Sequence, residues 1–305
     1  MKIKKKIGEA LSLIFKGRVI DNYDKILSDK IKTRLLSLEL VIKGINKLNR
    51  STYKKKTDKI FIFGSGESVA NLKDEDWEHI SKFDTAALNY FYIHDFTPDL
   101  LFVELNDYEP LYEYIRDQCL NCERFSETKI IFQYKHARKT DLYKFKYLNE
   151  IYSYVPYNLP SMDEGVIEEY LKKRRSVEPG KIIHHASHVS ALVDYCIFLG
   201  YKEIILIGVD LNGGKYFYEL NSASKLYPNN KKYVELDRIR KKFFGSIGQS
   251  SLTNHQSMNK SLSESLLNLN IFDYFKIYKN SVRSEIKVYN ESSELRKIFK
   301  IYKKH

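Results

Sequence analysis

Short apolar segments that end on glycine, asparagine or aspartate recur along this chain and limit its fold more than any other pattern. The first, residues 59–63, leads into a glycine-rich loop, and the strongest, residues 203–210, ends on Asp210. Segments of this length and composition are typical of strands buried on both faces of a parallel sheet. Further strands are predicted at 85–88, 100–104, 129–133 and 286–289, with helices over 190–199 and from about residue 293.

Strands that alternate with helices predict an α/β protein with a doubly wound, mainly parallel, Rossmann-like sheet. Ligands of such sheets bind beyond the carboxyl ends of the strands. Ser65, Asn89, Asn106 and Asp210 all fall at those ends. We therefore expect them to line a nucleotide pocket.

The loop after the first strand reads Gly64-Ser65-Gly66-Glu67-Ser68. It lacks both the third glycine of a dinucleotide fingerprint and the lysine of a P-loop. Its backbone amides and the helix start that follows suit a single phosphate. Asn89 stands where a dinucleotide site would have an acidic residue, and no Asp-x-Asp pair ends a predicted strand. Neither a bound metal nor a further cofactor is therefore expected.

Two groups of histidines are candidates for chemistry. His184, His185 and His188 precede a predicted helix. They form either a loose metal site or, as we favour, a helix start that faces phosphate or substrate, with Ser187 as its candidate cap. His255 lies between a polar insert and an amphipathic pattern, and it is either a general base or an exposed loop histidine.

The chain is predicted to divide into a helical segment, residues 1–57, and a catalytic domain, residues 58–305, with an insert at about 214–254. Residues 1–50 contain 13 Lys/Arg and five Asp/Glu, which gives +8 in a chain whose total is +12. Such a segment either lies on an anionic membrane surface or packs as a helical hairpin on the protein. The insert is either a lid over the site or a surface loop.

Cysteine use and hydropathy bear on location. Three cysteines, an odd number, favour a reducing compartment over a disulfide scaffold. No apolar run approaches the ~20 residues that a membrane span needs. We expect a cytoplasmic protein that can associate with the inner face of the cytoplasmic membrane. Nucleic acid is not an expected partner, because the basic residues are spread along the chain and no RNA-binding motif is present.

Taken in order, these motifs resemble the Campylobacter-type bacterial sialyltransferases, glycosyltransferase family 42. Residues 199–210 resemble that family's Leu-Gly-Tyr-Lys-Glu-Ile…Gly-Ile-Asp strand, and 63–68 resemble its Gly-Asn-Gly-Pro-Ser loop. Residues 88–92 resemble its Cys-Asn-Gln-Phe-Tyr element, and 254–257 its Gly-His-Ser element. The resemblance covers about 59–299. Flagellin-modifying transferases share two of these elements.

The resemblance implies a GT-A-like variant of the Rossmann-like fold and a set of site residues. The implied donor-binding residues are Gly64, Ser65, Gly66, Ser68, Asn89, Asn106, Ser187, Asp210 and Asn212. His255 would be the general base, and Tyr216 or Tyr218 would stabilise the departing phosphate. Ser65, Glu67 and His185 replace an asparagine, a proline and an arginine of the family, which leaves the identity of the donor sugar open.

The same resemblance implies an inverting, metal-independent transfer of a sialic acid or related nonulosonic acid from a CMP-sugar donor. The implied acceptor is a lipid-linked oligosaccharide of lipooligosaccharide or capsule, and a homo-oligomer is expected. Two alternatives stay open: a transferase that modifies flagellin or another protein, and a non-enzymatic nucleotide-binding Rossmann protein.

Overall fold

The computed structural model describes most of the sheet and its flanking elements. The described ranges are 46–104, 109–120, 122–133, 152–157, 181–184, 187–212, 216–220, 271–279 and 284–304, with the single residues 35, 38, 42, 235, 238, 239 and 242. Among the helices in these ranges, none is long and apolar enough to cross a bilayer.

The described strands form one sheet in which every pairing between strands is parallel. They are β1 Asn46–Lys47, β2 Lys59–Phe63, β3 Asp84–Leu88, β4 Leu100–Val103, β5 Lys129–Gln133, β6 Tyr152–Tyr157, β7 Lys181–Ile183, β8 Glu203–Ile207, β9 Glu285–Val288 and β10 Lys300–Ile301. Their order is β1-β6-β5-β4-β3-β2-β8-β9-β10, and β7 pairs with the far end of β6. The prediction of a mainly parallel α/β sheet is confirmed.

Both faces of the sheet are buried, because alternate side chains of each strand enter different cores. On β2, Ile60 and Ile62 belong to one apolar cluster. Phe61 and Phe63 belong to a second cluster on the opposite face. An uninterrupted apolar run is therefore what a central strand of this sheet needs.

Three helices with described bounds connect the strands: α1 Asp74–Ile80, α2 Glu109–Ile115 and α3 His188–Leu199. Residues 116–120 continue α2 as a π-helical turn, and residues 271–279 are also helical. α3 ends at Gly200, whose φ of 83° is the left-handed conformation that favours glycine after a helix. The helix predicted from about Ser293 is instead one 3-10 turn, Glu294–Lys297, and β10 follows it.

Part of the predicted N-terminal segment packs on the sheet. β1 pairs with β6. The Tyr53 hydroxyl donates to Asp84 Oδ1 at 2.5 Å, and the backbone amides of Lys56 and Thr57 donate to the same carboxylate. Residues 46–57 are thus joined to the strands by backbone pairing and by a buried acid.

Three earlier residues of that segment are helical and exposed. Leu35, Leu38 and Ile42 have relative exposures of 58%, 59% and 83%. Their spacing places them on one helix face. The rest of 1–45 lies outside the described residues, as does most of the predicted insert at 214–254.

Candidate functional site

The strand order predicts a crevice between β2 and β8. From β2 the chain adds β3, β4, β5 and β6 in one direction, and it then returns to add β8, β9 and β10 on the other side. Connections that leave neighbouring parallel strands in opposite directions open a crevice at the carboxyl edge, where ligands of doubly wound sheets bind. The predicted residues at the ends of β2, β3 and β8 lie around this crevice.

The loop from Gly64 to Ser68 follows β2 and is fastened to the end of β8. Gly64 N–H donates to the Ile207 carbonyl at 2.7 Å, and Gly66 N–H donates to the Gly208 carbonyl at 2.8 Å. A Cβ on Gly66 would lie 2.3 Å from Asp210 Oδ2. Glycine is required there because the two chain segments approach so closely, and not because of φ, which is −65°.

Asp210 and Ser68 bind each other. The Ser68 hydroxyl donates to Asp210 Oδ1 at 2.5 Å, and the Ser68 amide donates to Oδ2 at 3.1 Å. Burial raises the pKa of Asp210, and the two hydrogen bonds from Ser68 oppose that rise. The two residues therefore hold the loop against β8, while their contact with a donor stays a prediction.

Asn89 is the first residue after β3 and has the left-handed φ of 49°. Asparagine tolerates this conformation better than most residues, and such backbone strain is concentrated at functional sites. Its Oδ1 lies 2.6 Å from Nδ1 of His188, at the start of α3. The contact brings the ends of β3 and the start of α3 together at the carboxyl edge.

His188 makes a second contact at this edge. Its Nε2 lies 2.8 Å from Oε1 of Gln133, the last residue of β5. Sequence reasoning placed His188 with His184 and His185 in a helix start that faces phosphate or substrate, but it did not identify the partners of His188 and it missed Gln133. The available signal was positional, since Gln133 ends a predicted strand as Asn89 does.

Ser187 occupies the N-cap position of α3 but does not cap it, because its side chain accepts no bond from the first helical turn. The Ser187 hydroxyl is buried and has no hydrogen-bond partner among the described residues. Buried hydroxyls are normally satisfied, so one that is not, at a helix N-terminus, is typical of a place where a ligand binds. This is the strongest structural support for the prediction that Ser187 contacts the donor.

The two candidate tyrosines lie beside the glycine loop. A single antiparallel bridge pairs Tyr216 with Gly66, and Phe217 N–H donates to the Ser65 carbonyl at 3.0 Å. The rings of Tyr216 and Tyr218 stack with centroids 5.1 Å apart. Tyr218 is buried, at 2% exposure, whereas Tyr216 is partly exposed. Tyr216 is therefore the better placed of the two to meet a ligand.

Three further candidates are less defined by the geometry. Asn212 is exposed and follows Leu211, a second residue with a left-handed φ, 53°. Asn106 and His255 lie outside the described residues, so their roles stay predictions. Within the described part of the chain, no group of three or more His, Cys, Asp or Glu could hold a metal ion.

No family model matches the chain, and no curated protein matches it. Among solved structures it is similar to the monofunctional α-2,3-sialyltransferase Cst-I from Campylobacter jejuni, with 16% identity, a TM-score of 0.42 and 82% of each chain covered.

Two further structures from the same organism are similar to the chain. An α-2,3-sialyltransferase in apo form has 14% identity and a TM-score of 0.39 over 82% of each chain. The sialyltransferase CstII, in complex with the substrate analogue CMP-3FNeuAc, has 14% identity and a TM-score of 0.39 over 81% of this chain and 86% of that one. All three are Campylobacter sialyltransferases, the group that the sequence motifs resemble.

Proposed function

We propose that this chain is an inverting glycosyltransferase that moves a sialic acid or related nonulosonic acid from a CMP-linked donor to a saccharide acceptor. The observation that carries the proposal is the buried Ser187 hydroxyl without a partner among the described residues, at the α3 start that also contacts Asn89. We propose that an uncharged hydroxyl, an amide side chain and a helix N-terminus meet the donor together. Such a set suits one phosphate group.

The chemistry of the leaving group explains why uncharged hydrogen-bond donors of the protein are enough to stabilise its departure. CMP leaves as a phosphate monoester, and its growing negative charge can be absorbed by amide N–H, hydroxyl and tyrosine O–H groups. Tyr216 is the candidate for the last of these, because it is partly exposed beside Gly66. A single phosphate does not require a divalent cation to bridge it, and we propose a metal-independent reaction on that ground.

The acceptor hydroxyl must lose a proton as it attacks the anomeric carbon. We assign this proton to His255, whose imidazole can act as a base near neutral pH. A single displacement by that hydroxyl inverts the anomeric centre. The carboxylate of the donor sugar itself helps to stabilise an oxocarbenium-like transition state, so no nucleophile from the protein is needed.

We further propose that the acceptor is a saccharide of lipooligosaccharide or capsule at the inner face of the cytoplasmic membrane. The support is the +8 charge of residues 1–50 together with the exposed Leu35, Leu38 and Ile42. Apolar side chains on one face and many basic residues are typical of a helix that lies on an anionic bilayer. A protein acceptor such as flagellin is the alternative outcome of an acceptor screen.

The first experiment is a thermal-shift screen of the full chain against CMP, UDP, NAD and S-adenosylmethionine. CMP should raise Tm and the other three should not, since a ligand that binds only the folded state stabilises it. Stabilisation by NAD or S-adenosylmethionine alone would identify a different Rossmann-type protein.

Transfer is then assayed with CMP-N-acetylneuraminic acid and a terminal galactoside, with and without EDTA. Activity should persist in EDTA. His255→Ala should abolish transfer and keep CMP binding, while His79→Ala, a change on α1, should keep both. Full transfer by the His255→Ala variant would remove His255 from its assigned role.

A further inference from the structure

The imidazole of His188 faces two amide oxygens at once. Nδ1 lies 2.6 Å from Asn89 Oδ1, and Nε2 lies 2.8 Å from Gln133 Oε1. A neutral imidazole carries one N–H and one acceptor nitrogen, so it can donate to only one of two oxygens. A doubly protonated ring donates to both. The contacts as they stand therefore match an imidazolium.

A charged group near the ring also favours the imidazolium form of His188. Glu104, which follows β4, places Oε2 3.9 Å from Nδ1 of His188. A carboxylate at this distance stabilises a positive ring. Two further titratable groups lie near the ring: His184, whose ring is perpendicular at a centroid distance of 5.0 Å, and Tyr154, whose hydroxyl lies 3.5 Å from His184 Nδ1.

The His188 ring lies at the carboxyl edge of the sheet, where ligands of such sheets bind. His188 is 5% exposed, and its partners come from the ends of β3 and β5. The Glu104 side chain is half exposed, so its pairing with the buried ring adds little to stability, and the contacts of the ring lie at the carboxyl edge of the sheet. The Asn89 side chain contacts the ring, and its backbone is held in the left-handed region.

We propose that His188 is an imidazolium that fixes the Asn89 amide with its Nδ2 amino group toward the ligand. The Oδ1 atom of Asn89 is engaged by His188, so the group left to meet a ligand is a hydrogen-bond donor. Asn89 thereby selects an acceptor, an anionic phosphate or carboxylate oxygen, and the imidazolium behind it strengthens that donation. His188 is a positioning residue. That the ligand of Asn89 is CMP rests on the function proposed above.

The charge state is tested without any ligand or activity. Long-range ¹H–¹⁵N spectra of protein labelled with ¹⁵N-histidine separate protonated from unprotonated ring nitrogens, and His188→Gln assigns the signal. Both nitrogens of His188 should be protonated at pH 7. One unprotonated nitrogen would overturn the proposal. Glu104→Gln, a change at a half-exposed side chain, should make the ring lose its second proton at lower pH than in the wild type.

The orientation of Asn89 is tested by calorimetry with CMP and with cytidine, which lacks the phosphate. Asn89→Asp keeps Oδ1 for His188 and replaces only the amino group by an oxygen. CMP affinity should fall about tenfold or more, because a donor to an anion is lost and a negative charge is added. Cytidine affinity should change little. Asn46→Asp, the same chemical change on exposed β1, should leave both affinities unchanged.

The outcomes separate the two proposals. If the wild-type protein binds no CMP, the proposed function fails while the spectra still decide the charge on His188. If it binds CMP and Asn89→Asp binds it equally well, the amino group does not face the ligand and the proposal about His188 is wrong.

Discussion

His94 is a buried imidazole whose protonation depends on whether the chain is folded. It stacks on Phe91 with ring centroids 5.0 Å apart, and its Nδ1 accepts the Phe96 amide. Burial lowers the pKa of His94 to about 3, and the positive charge of Arg124 contributes to that shift. In the unfolded chain the same ring titrates near its usual pKa of about 6.5.

The sign of the resulting pH dependence follows from proton counts. Between pH 6.5 and about 3 the unfolded state binds a proton that the folded state does not, so stability falls as pH is lowered. We expect the unfolding free energy of the wild type to fall by about 1.4 kcal/mol more between pH 7.5 and 5.5 than that of His94→Phe, which keeps an aromatic ring. Urea unfolding at both pH values measures the difference.

A variant of a second histidine, His79, serves as the control in this unfolding experiment. His79 lies on α1, and its Nε2 lies 2.8 Å from the Tyr302 hydroxyl. His79→Gln should keep most of the wild-type slope, because His79 is far more exposed than His94. An unchanged slope in His94→Phe would mean that another group carries the acid sensitivity.

Single residues also show where sequence reasoning reached its limit. The positions of Asn89 and Ser65 at strand ends could be predicted because each comes within two residues of the end of a recognisable strand. His188 could not be matched to its partners, which are 99 and 55 residues away in the chain. The pairing depends on which strands become neighbours in the sheet, and neither local pattern nor residue type contains that information.

At the scale of elements, the junction between β2 and β8 depends on close approach of two backbones. A Cβ on Gly66 would lie 2.3 Å from Asp210 Oδ2 and 2.8 Å from the Gly208 carbonyl oxygen. Gly66→Ala must displace Asp210, which holds Ser68. We expect a loss of about 1–3 kcal/mol in unfolding free energy, as for other overpacked sites, and a clear loss of CMP affinity in calorimetry.

Gly200→Ala separates the steric effect from backbone strain. Nothing lies within 4 Å of a Cβ at Gly200, but its φ is +83°. That variant should lose about 1–2 kcal/mol through the left-handed backbone alone and should bind CMP like the wild type. Wild-type CMP affinity in a folded Gly66→Ala protein would show that the loop does not shape the site.

Most inner strands were predicted to within one residue at each end, but β8 ends at Ile207 and not at the predicted Asp210, and the outer strands were not predicted. β1 and β10 have two residues each, too few for any periodic signal. β6 contains Pro156, a residue that argues against an inner strand because it lacks an N–H. β6 still forms because its first half pairs with β5 and its second half with β7. Those contacts are tertiary and leave no local pattern.

At the scale of the whole molecule, the structure shows where the N-terminal segment joins the sheet. The predicted boundary was residue 57, yet β1 begins at Asn46, and Asp84 accepts hydrogen bonds from Tyr53, Lys56 and Thr57. Removing those donors would leave a buried carboxylate without them, which is among the more destabilising changes in a protein. Two truncations therefore probe different properties.

Deletion of residues 1–45 keeps these contacts and removes the exposed Leu35, Leu38 and Ile42 together with most of the basic residues of 1–50. We expect this variant to fold and to bind CMP like the full chain, but to lose sedimentation with phosphatidylglycerol vesicles, since each basic residue near such a surface contributes about 1 kcal/mol. Phosphatidylcholine vesicles should bind neither protein. Deletion of 1–57 should lower Tm, because it exposes the edge of β6 and strips Asp84 of its donors. If deletion of 1–45 also lowers Tm and leaves vesicle binding intact, the segment packs on the protein, and the membrane surface must be contacted by another part of the chain.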